Sequence, residues 1–175
     1  MHFSLYLTAF VVQLLLPGPA EKSLPAKNQQ MIDFARKSGR KISPTYETAV
    51  CTEFLIAVLQ NATSLSARDK KRIRIRTKEP LAKLIRHEDS LIRGVQWALV
   101  SSGKGKAIPL EEVLPGDLVQ YWDSWAGIIP FGHCGIVTGI SPGKSIRLIS
   151  SSPHTDGYGE VDFPWPEKMY FVRLK

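Results

Sequence analysis

Leu118-Val119-Gln120-Tyr121-Trp122 opens a series of β-rich runs that continues with Phe131-Gly132-His133-Cys134-Gly135-Ile136-Val137 inside His133 to Ile140, then Ser145 to Ser150 and Tyr170 to Leu174. Branched and aromatic residues concentrate in these runs, and Pro and Gly divide them, so the chain after Lys106 reads as strands joined by turns. Before Lys106 the pattern is different. Ala26 to Ser38 carries Met31, Phe34 and Ala35 at helical spacing, with Gly39 as a stop. Ala49 to Leu59 is apolar on nearly every side and reads as the central packed helix. Ser66 and Asp69 have the spacing of a capping box, whereas Ile73-Arg74-Ile75-Arg76 alternates like a short strand, and both readings of that basic segment stay open. Pro80 to His87 and Ser90 to Val100 are two further helical pieces. Helices first and strands second predict an α+β domain, an antiparallel sheet packed against N-terminal helices.

The rest of the composition bounds the function. The chain has 175 residues, 43% hydrophobic and 22% charged, with 2 Cys, which excludes a disordered chain, a collagen-like repeat and a disulfide-dense scaffold. Residues 1–20 read as a secretory signal peptide. Phe3 to Leu16 is apolar apart from Ser4, Thr8 and Gln13, is shorter than the about 20 residues needed to span a bilayer, and is followed by Pro17-Gly18-Pro19-Ala20. The only basic side chain before that run is His2. The expectation is a secreted or periplasmic protein, a monomer without stable membrane insertion, whose single domain spans residues 21–175. Every Lys, Arg, Asp and Glu follows Ala20, so the mature chain keeps the formal charge of +7. That charge points to an anionic partner. Export argues against nucleic acid and leaves cell-wall polymers and lipid head groups. The run Arg68 to Lys78 fits either a docking patch or a solvated helix face.

Few residues can carry chemistry. Ser101-Ser102-Gly103-Lys104-Gly105-Lys106 lacks the first glycine of a phosphate loop and reads as a helix-terminating turn. His87-Glu88-Asp89 cannot converge on one ion from a single helix, and Asn61-Ala62-Thr63 is a glycosylation sequon in form only. Cys51 stands at the start of the central helix, where peptide dipoles favour a thiolate. His133 and Cys134 are adjacent on a strand and therefore point to opposite faces. Two arrangements follow: either His133 faces Cys51 as the base of a nucleophilic pair, or Cys134 faces it and an exported chain closes a disulfide. Gly132 and Gly135, read as leaving space for a substrate, favour the first without closing the second. Zinc on Cys51, His133 and His154 has the right ligand types but not the close spacing, and no cofactor is expected.

The order of these motifs resembles the NlpC-type papain-like cell-wall peptidases and amidases. Cys51-Thr52-Glu53-Phe54-Leu55, Pro115-Gly116-Asp117-Leu118-Val119-Gln120-Tyr121-Trp122, Gly132-His133-Cys134-Gly135-Ile136-Val137 and Arg147-Leu148-Ile149-Ser150-Ser151-Ser152-Pro153-His154 match that family's succession over roughly Gln29 to Lys175. Val50-Cys51-Thr52-Glu53 replaces the family's Asp-Cys-Ser-Gly, and a helical, basic insertion at about 64–102 separates Cys51 from the sheet. The resemblance implies a papain-like fold, Cys51 as nucleophile, His133 as base, and an amide substrate in peptidoglycan stem peptides or a related acyl-amide. It also implies a third polar residue, with His154 preferred and Ser150, Ser151 and Ser152 as alternatives. Tyr46 is expected to assist the Cys51 N–H at the oxyanion, and Trp122, with Tyr121 and Trp125, to line the substrate groove. Asp117 is assigned to the turn that starts its strand.

Overall fold

The computed structural model describes residues 23–175, so the leader expected over residues 1–20 lies outside the described residues. Five helices precede the main sheet strands: α1 (Ala26–Ile42), α2 (Cys51–Ala62), α3 (Ala67–Ile73), α4 (Leu81–Arg86) and α5 (Gly94–Ser101). Six strands follow: β1 (Gly105–Ile108), β2 (Leu118–Trp125), β3 (Ile129–Ser141), β4 (Ser145–Ser152), β5 (Gly157–Pro164) and β6 (Lys168–Leu174). They form one antiparallel sheet in the order β1-β6-β2-β3-β4-β5. The architecture is the α+β one that the sequence pattern predicts.

Period-two alternation gives the sheet two buried faces. Leu118, Cys134, Ile136, Ile149, Val172 and Leu174 pack against Phe54, Leu55, Val58 and Leu59 of α2, with Met31 and Ala35 of α1 and Val95, Ala98 and Leu99 of α5. Val119, Tyr121, Val137, Leu148, Phe163 and Phe171 form a second cluster on the other face. α2 thus sits between α1 and the middle of the sheet, which fixes Cys51 at its N-terminus against β3. The segment at about 64–102 is helical and belongs to this core, since α5 buries its apolar side in it and Trp122 Nε1 donates to Ile92 O at 2.7 Å.

Three local expectations change. α1 runs through Gly39 to Ile42 instead of stopping there, because a Cβ at Gly39 would lie 2.1 Å from Tyr158 Cδ2: the glycine admits a ring from β5. The capping box is present, with Asp69 N donating to Ser66 Oγ at 3.1 Å and Ser66 N to Asp69 Oδ2 at 2.9 Å, and Ile73 ends a helix, not a strand. The strands β1 and β5 escape the sequence reading, because their flanking Gly and charged residues mask the pattern while backbone pairing to β6 and β4 holds them.

Asp117 does build the turn before β2. Pro115 and Gly116, the latter at φ 86°, occupy the centre of a type II turn closed by Asp117 N to Leu114 O at 3.1 Å. The fully buried carboxylate accepts from Leu114 N at 2.8 Å, Asn28 Nδ2 at 2.9 Å and both ends of the Arg173 guanidinium at 2.7 and 2.6 Å. This network ties α1, β2 and β6 together.

Candidate active site

The loop entering α2 is anchored before Cys51 is reached. Ser43 Oγ donates to Ala49 O at 2.9 Å and lies 2.8 Å from Ser151 Oγ, and Tyr46 N donates to Asp156 Oδ1 at 3.2 Å. Cys51 is the first helical residue, and Val50 supplies no side-chain cap, so no side chain occupies the first N–H groups of α2. The thiol is buried, with 8% of its surface exposed. Its pKa is held well below the ordinary value, first by the hydrogen bond from the Cys134 thiol, against burial, and then by His133. The Cys134 thiol moves the other way, raised by its hydrogen bond to Cys51 and by complete burial. Both cysteines are free thiols. Of the two, Cys51 is the one that ionises, since it alone stands at a helix N-terminus beside an imidazole.

Strand alternation predicts that only one of His133 and Cys134 can reach Cys51; both influence the ionisation of its thiol, Cys134 from the core cluster that Cys51 shares and His133 from the hollow that both border. The reason lies in the sheet. The β3–β4 ladder ends at Ile136↔Ile149, so His133 lies in the part of β3 that pairs with β2 alone. Cys134 points into the helix-facing core while the His133 ring packs on the other face against Phe163 and Tyr121, with centroids 5.0 and 5.6 Å away. His133 Nε2 lies 2.9 Å from Ser150 Oγ. That contact leaves Nδ1 as the nitrogen available to the thiol.

The flanking glycines serve close packing, and Gly132 also borders both of the hollows at His133. A Cβ at Gly135 would stand 2.9 Å from Ile149 O and 3.2 Å from Ser150 Cβ, so the glycine lets β4 bring Ser150 up to His133. A Cβ at Gly132 would meet the Trp122 ring at 2.7 Å.

Ser150, and not His154, therefore meets the imidazole. His154 is exposed on the 3₁₀ turn Pro153–Thr155, its ring 6.3 Å from Phe163, and no hydrogen bond joins it to His133. Ser151 faces the opposite side, toward Ser43, and Ser152 Oγ lies 3.0 Å from Thr155 Oγ1.

Two hollows meet at Gly132 and His133. The smaller, of about 180 Å³, is bordered by Cys51, Thr52, Arg74, Ile75, Leu81, Gln120 and Trp122. The larger, of about 620 Å³, is bordered by Tyr46, Tyr121, Trp125, Phe131, His154 and Phe163, with Asp123 as its one carboxylate. Tyr46 and Trp122 thus stand on different sides of the histidine. Burial, and then the nearby Cys51 sulfur, push the Tyr46 hydroxyl above its usual pKa, so it remains a proton-bearing donor. Trp122 is buried beneath Gly132.

Residues that the sequence reading passed over also shape the site. Gln120 Nε2 donates to the backbone carbonyls of Tyr121 and His133, both at 3.1 Å, and so fixes the strand position that carries the imidazole. Arg74 reaches Glu53 of α2 through Nε and Nη2 at 2.6 and 2.8 Å, and Arg72 covers the Trp97 ring at 4.2 Å. Part of the basic run is thereby committed to structure. Ile75, next to Arg74 on the rim, has φ 49°, a conformation a β-branched residue rarely adopts. Among the described residues no three His, Cys, Asp or Glu side chains converge as metal ligands would, and no helix is long and apolar enough to cross a membrane.

Compared with protein-family models, curated proteins and solved structures, the chain matches none.

Proposed function

We propose that the chain is an exported cysteine hydrolase of amide bonds, with Cys51 as nucleophile and His133 as general base. The observation that carries the reading is the Cys51 thiol at an uncapped helix start, on the same hollow as an imidazole whose Nε2 is already engaged by Ser150. A thiol so placed is the more reactive for being ionised.

In this mechanism His133 Nδ1 accepts the Cys51 proton and the sulfur attacks the amide carbon. The carbonyl oxygen becomes an oxyanion that accepts from the Cys51 N–H, and Tyr46 stands on the adjoining rim as a second donor. Collapse of the tetrahedral intermediate breaks the C–N bond, with the imidazolium protonating the leaving amine. A water, deprotonated by His133, then releases the acid from the thioester and restores the thiol. Ser150 keeps the ring in the orientation that this shuttle requires. No cofactor enters these steps.

The arrangement also supports a divergent papain-like assignment. Its nucleophile opens a packed helix, its base lies on a strand, and the residue that holds the base comes from the next strand. By that resemblance the substrate is peptidoglycan stem peptide or a related acyl-amide, met outside the cytoplasmic membrane. Incubating the protein with purified muropeptides and weighing the products tests this: the expected product gains the mass of one water at one amide. Intact muropeptides with wild-type protein, under conditions where Cys51 is alkylatable, contradict that substrate.

A second reading rests on the burial of both cysteines in one core cluster: a non-catalytic, exported wall-binding protein locked by a Cys51–Cys134 disulfide. Thiol titration of the folded protein separates the two. Two free thiols support the hydrolase, and none supports the disulfide.

A further inference from the structure

The hairpin joining β2 to β3 stands out from the rest of the surface. Its ladder continues to Trp125↔Ile129, and Ala126, Gly127 and Ile128 close the turn. A Cβ at Gly127 would find no atom within 4 Å, so the turn is open at that position. Trp125, Ile128, Ile129 and Phe131 are 75%, 80%, 63% and 40% exposed, and they are four of the six large apolar side chains exposed among the described residues. Trp125 and Ile129 are direct cross-strand partners, and Phe131 follows on the same face, bordering the larger hollow. Ile128 lies toward the opposite side, in a shallow hollow with Ala82, Ile85 and Arg86 of α4. The tip is apolar on both flanks.

Its surroundings carry both signs of charge. Arg76 and Lys78 lie between Ile75 and Leu81, two residues of the smaller hollow's rim, and Arg86 lies beside Ile128. None of the three forms an ion pair among the described residues, whereas Glu79 and Glu88 are neutralised by Lys83 and Lys168. Asp123, opposite Phe131, and Glu167, beside Ile128, form no ion pair among the described residues either, so the net positive charge is that of the whole chain, +7.

We propose that this tip is a peripheral membrane-docking element, which partitions into the interface of an anionic phospholipid bilayer and brings the mouth of both hollows against it. A hairpin end with exposed apolar side chains on both flanks fits a medium that can cover both, and tryptophan at its edge favours the head-group layer. A second copy of the chain or a protein partner would need about 800 Å² of matching surface on each side, more than four side chains at a hairpin end present. The chain's formal charge of +7 gives the preference for anionic lipid. The proposal does not depend on the chemistry at Cys51.

Tryptophan quenching by vesicles containing brominated phosphatidylglycerol tests it in the full chain. Residues 1–20 contain no Trp, so the leader cannot produce the signal. Quenching is expected with brominated phosphatidylglycerol, much weaker with brominated phosphatidylcholine, and largely lost in Trp125→Phe although that variant still sediments with the vesicles. Ile128→Ser with Ile129→Ser should weaken vesicle binding by about tenfold or more. Sedimentation without Trp125-dependent quenching, or binding unchanged in the double variant, overturns the proposal, as does a wild-type dimer that the double variant dissociates. Unchanged Cys51 alkylation in each variant checks that it is folded.

Discussion

Two buried polar groups begin two elements of this protein, and they are finished differently. Asp117 precedes β2 with its carboxylate filled by four donors from α1, the turn and β6, and none of its partners borders a hollow bordered by Cys51 or His133. Cys51 opens α2 with partners that can exchange a proton, His133 and Cys134, and it borders a hollow. A buried charge that is fully satisfied holds a fold together; one that is held by labile partners beside open space is available for chemistry. Substitutions on the two sides of this comparison should therefore fail in different assays.

The largest effect expected is from Cys51→Ala, which should cost about four orders of magnitude or more in turnover while leaving thermal stability nearly unchanged. Retention of more than roughly a tenth of wild-type hydrolysis would remove Cys51 from the mechanism. Asp117→Ala inverts the pattern. It strands Arg173 and Asn28, and breaking a buried pair in this way costs about 3–5 kcal/mol. Calorimetry should show it as a lower melting temperature, with activity per folded molecule retained. A variant as stable as wild type would dissolve the contrast.

Ser150→Ala sharpens the comparison from within the site. Releasing His133 Nε2 should lower kcat roughly ten- to a hundredfold, the usual scale for losing a group that orients a functional imidazole, with KM little changed. His154→Ala should cost less than about threefold, since the proton transfers do not use it. The reverse ranking would move the role to His154. The smallest effect is that of Cys134→Ala. Removing the hydrogen bond that holds the thiolate should raise the midpoint of Cys51 ionisation. An unchanged midpoint would leave the helix terminus and His133 as the whole cause.

Cys51 and His133 are both legible in the sequence because local pattern determines each: an apolar helix that begins at a cysteine, and a glycine-flanked strand that carries a histidine. The Pro115-Gly116-Asp117 turn is legible for the same reason. Ser150 is not, because its role depends on how closely β4 approaches β3, which Gly135 permits, and a glycine reads equally well as space for a substrate. His154 looked better placed by residue type, yet the turn after Pro153 carries it to the surface. That Cys51 shares a core cluster with Cys134 and a hollow with His133 depends on how β3 meets α2, which is a tertiary property. Gly39 reads as a helix stop until Tyr158, more than a hundred residues later in the chain, is seen to need its space.

The pH dependence of Cys51 alkylation tests the central claim most directly, read by mass on the folded protein with Cys134→Ser as a control that keeps a hydrogen-bond donor. An acid whose pKa is depressed stays ionised above that value and loses its charge only as pH falls through it, so alkylation should remain fast at neutral pH and decline well below the about 8.5 of a free thiol. A midpoint at or above about 8.5 would mean an inert buried thiol and would contradict the assignment of Cys51 as nucleophile.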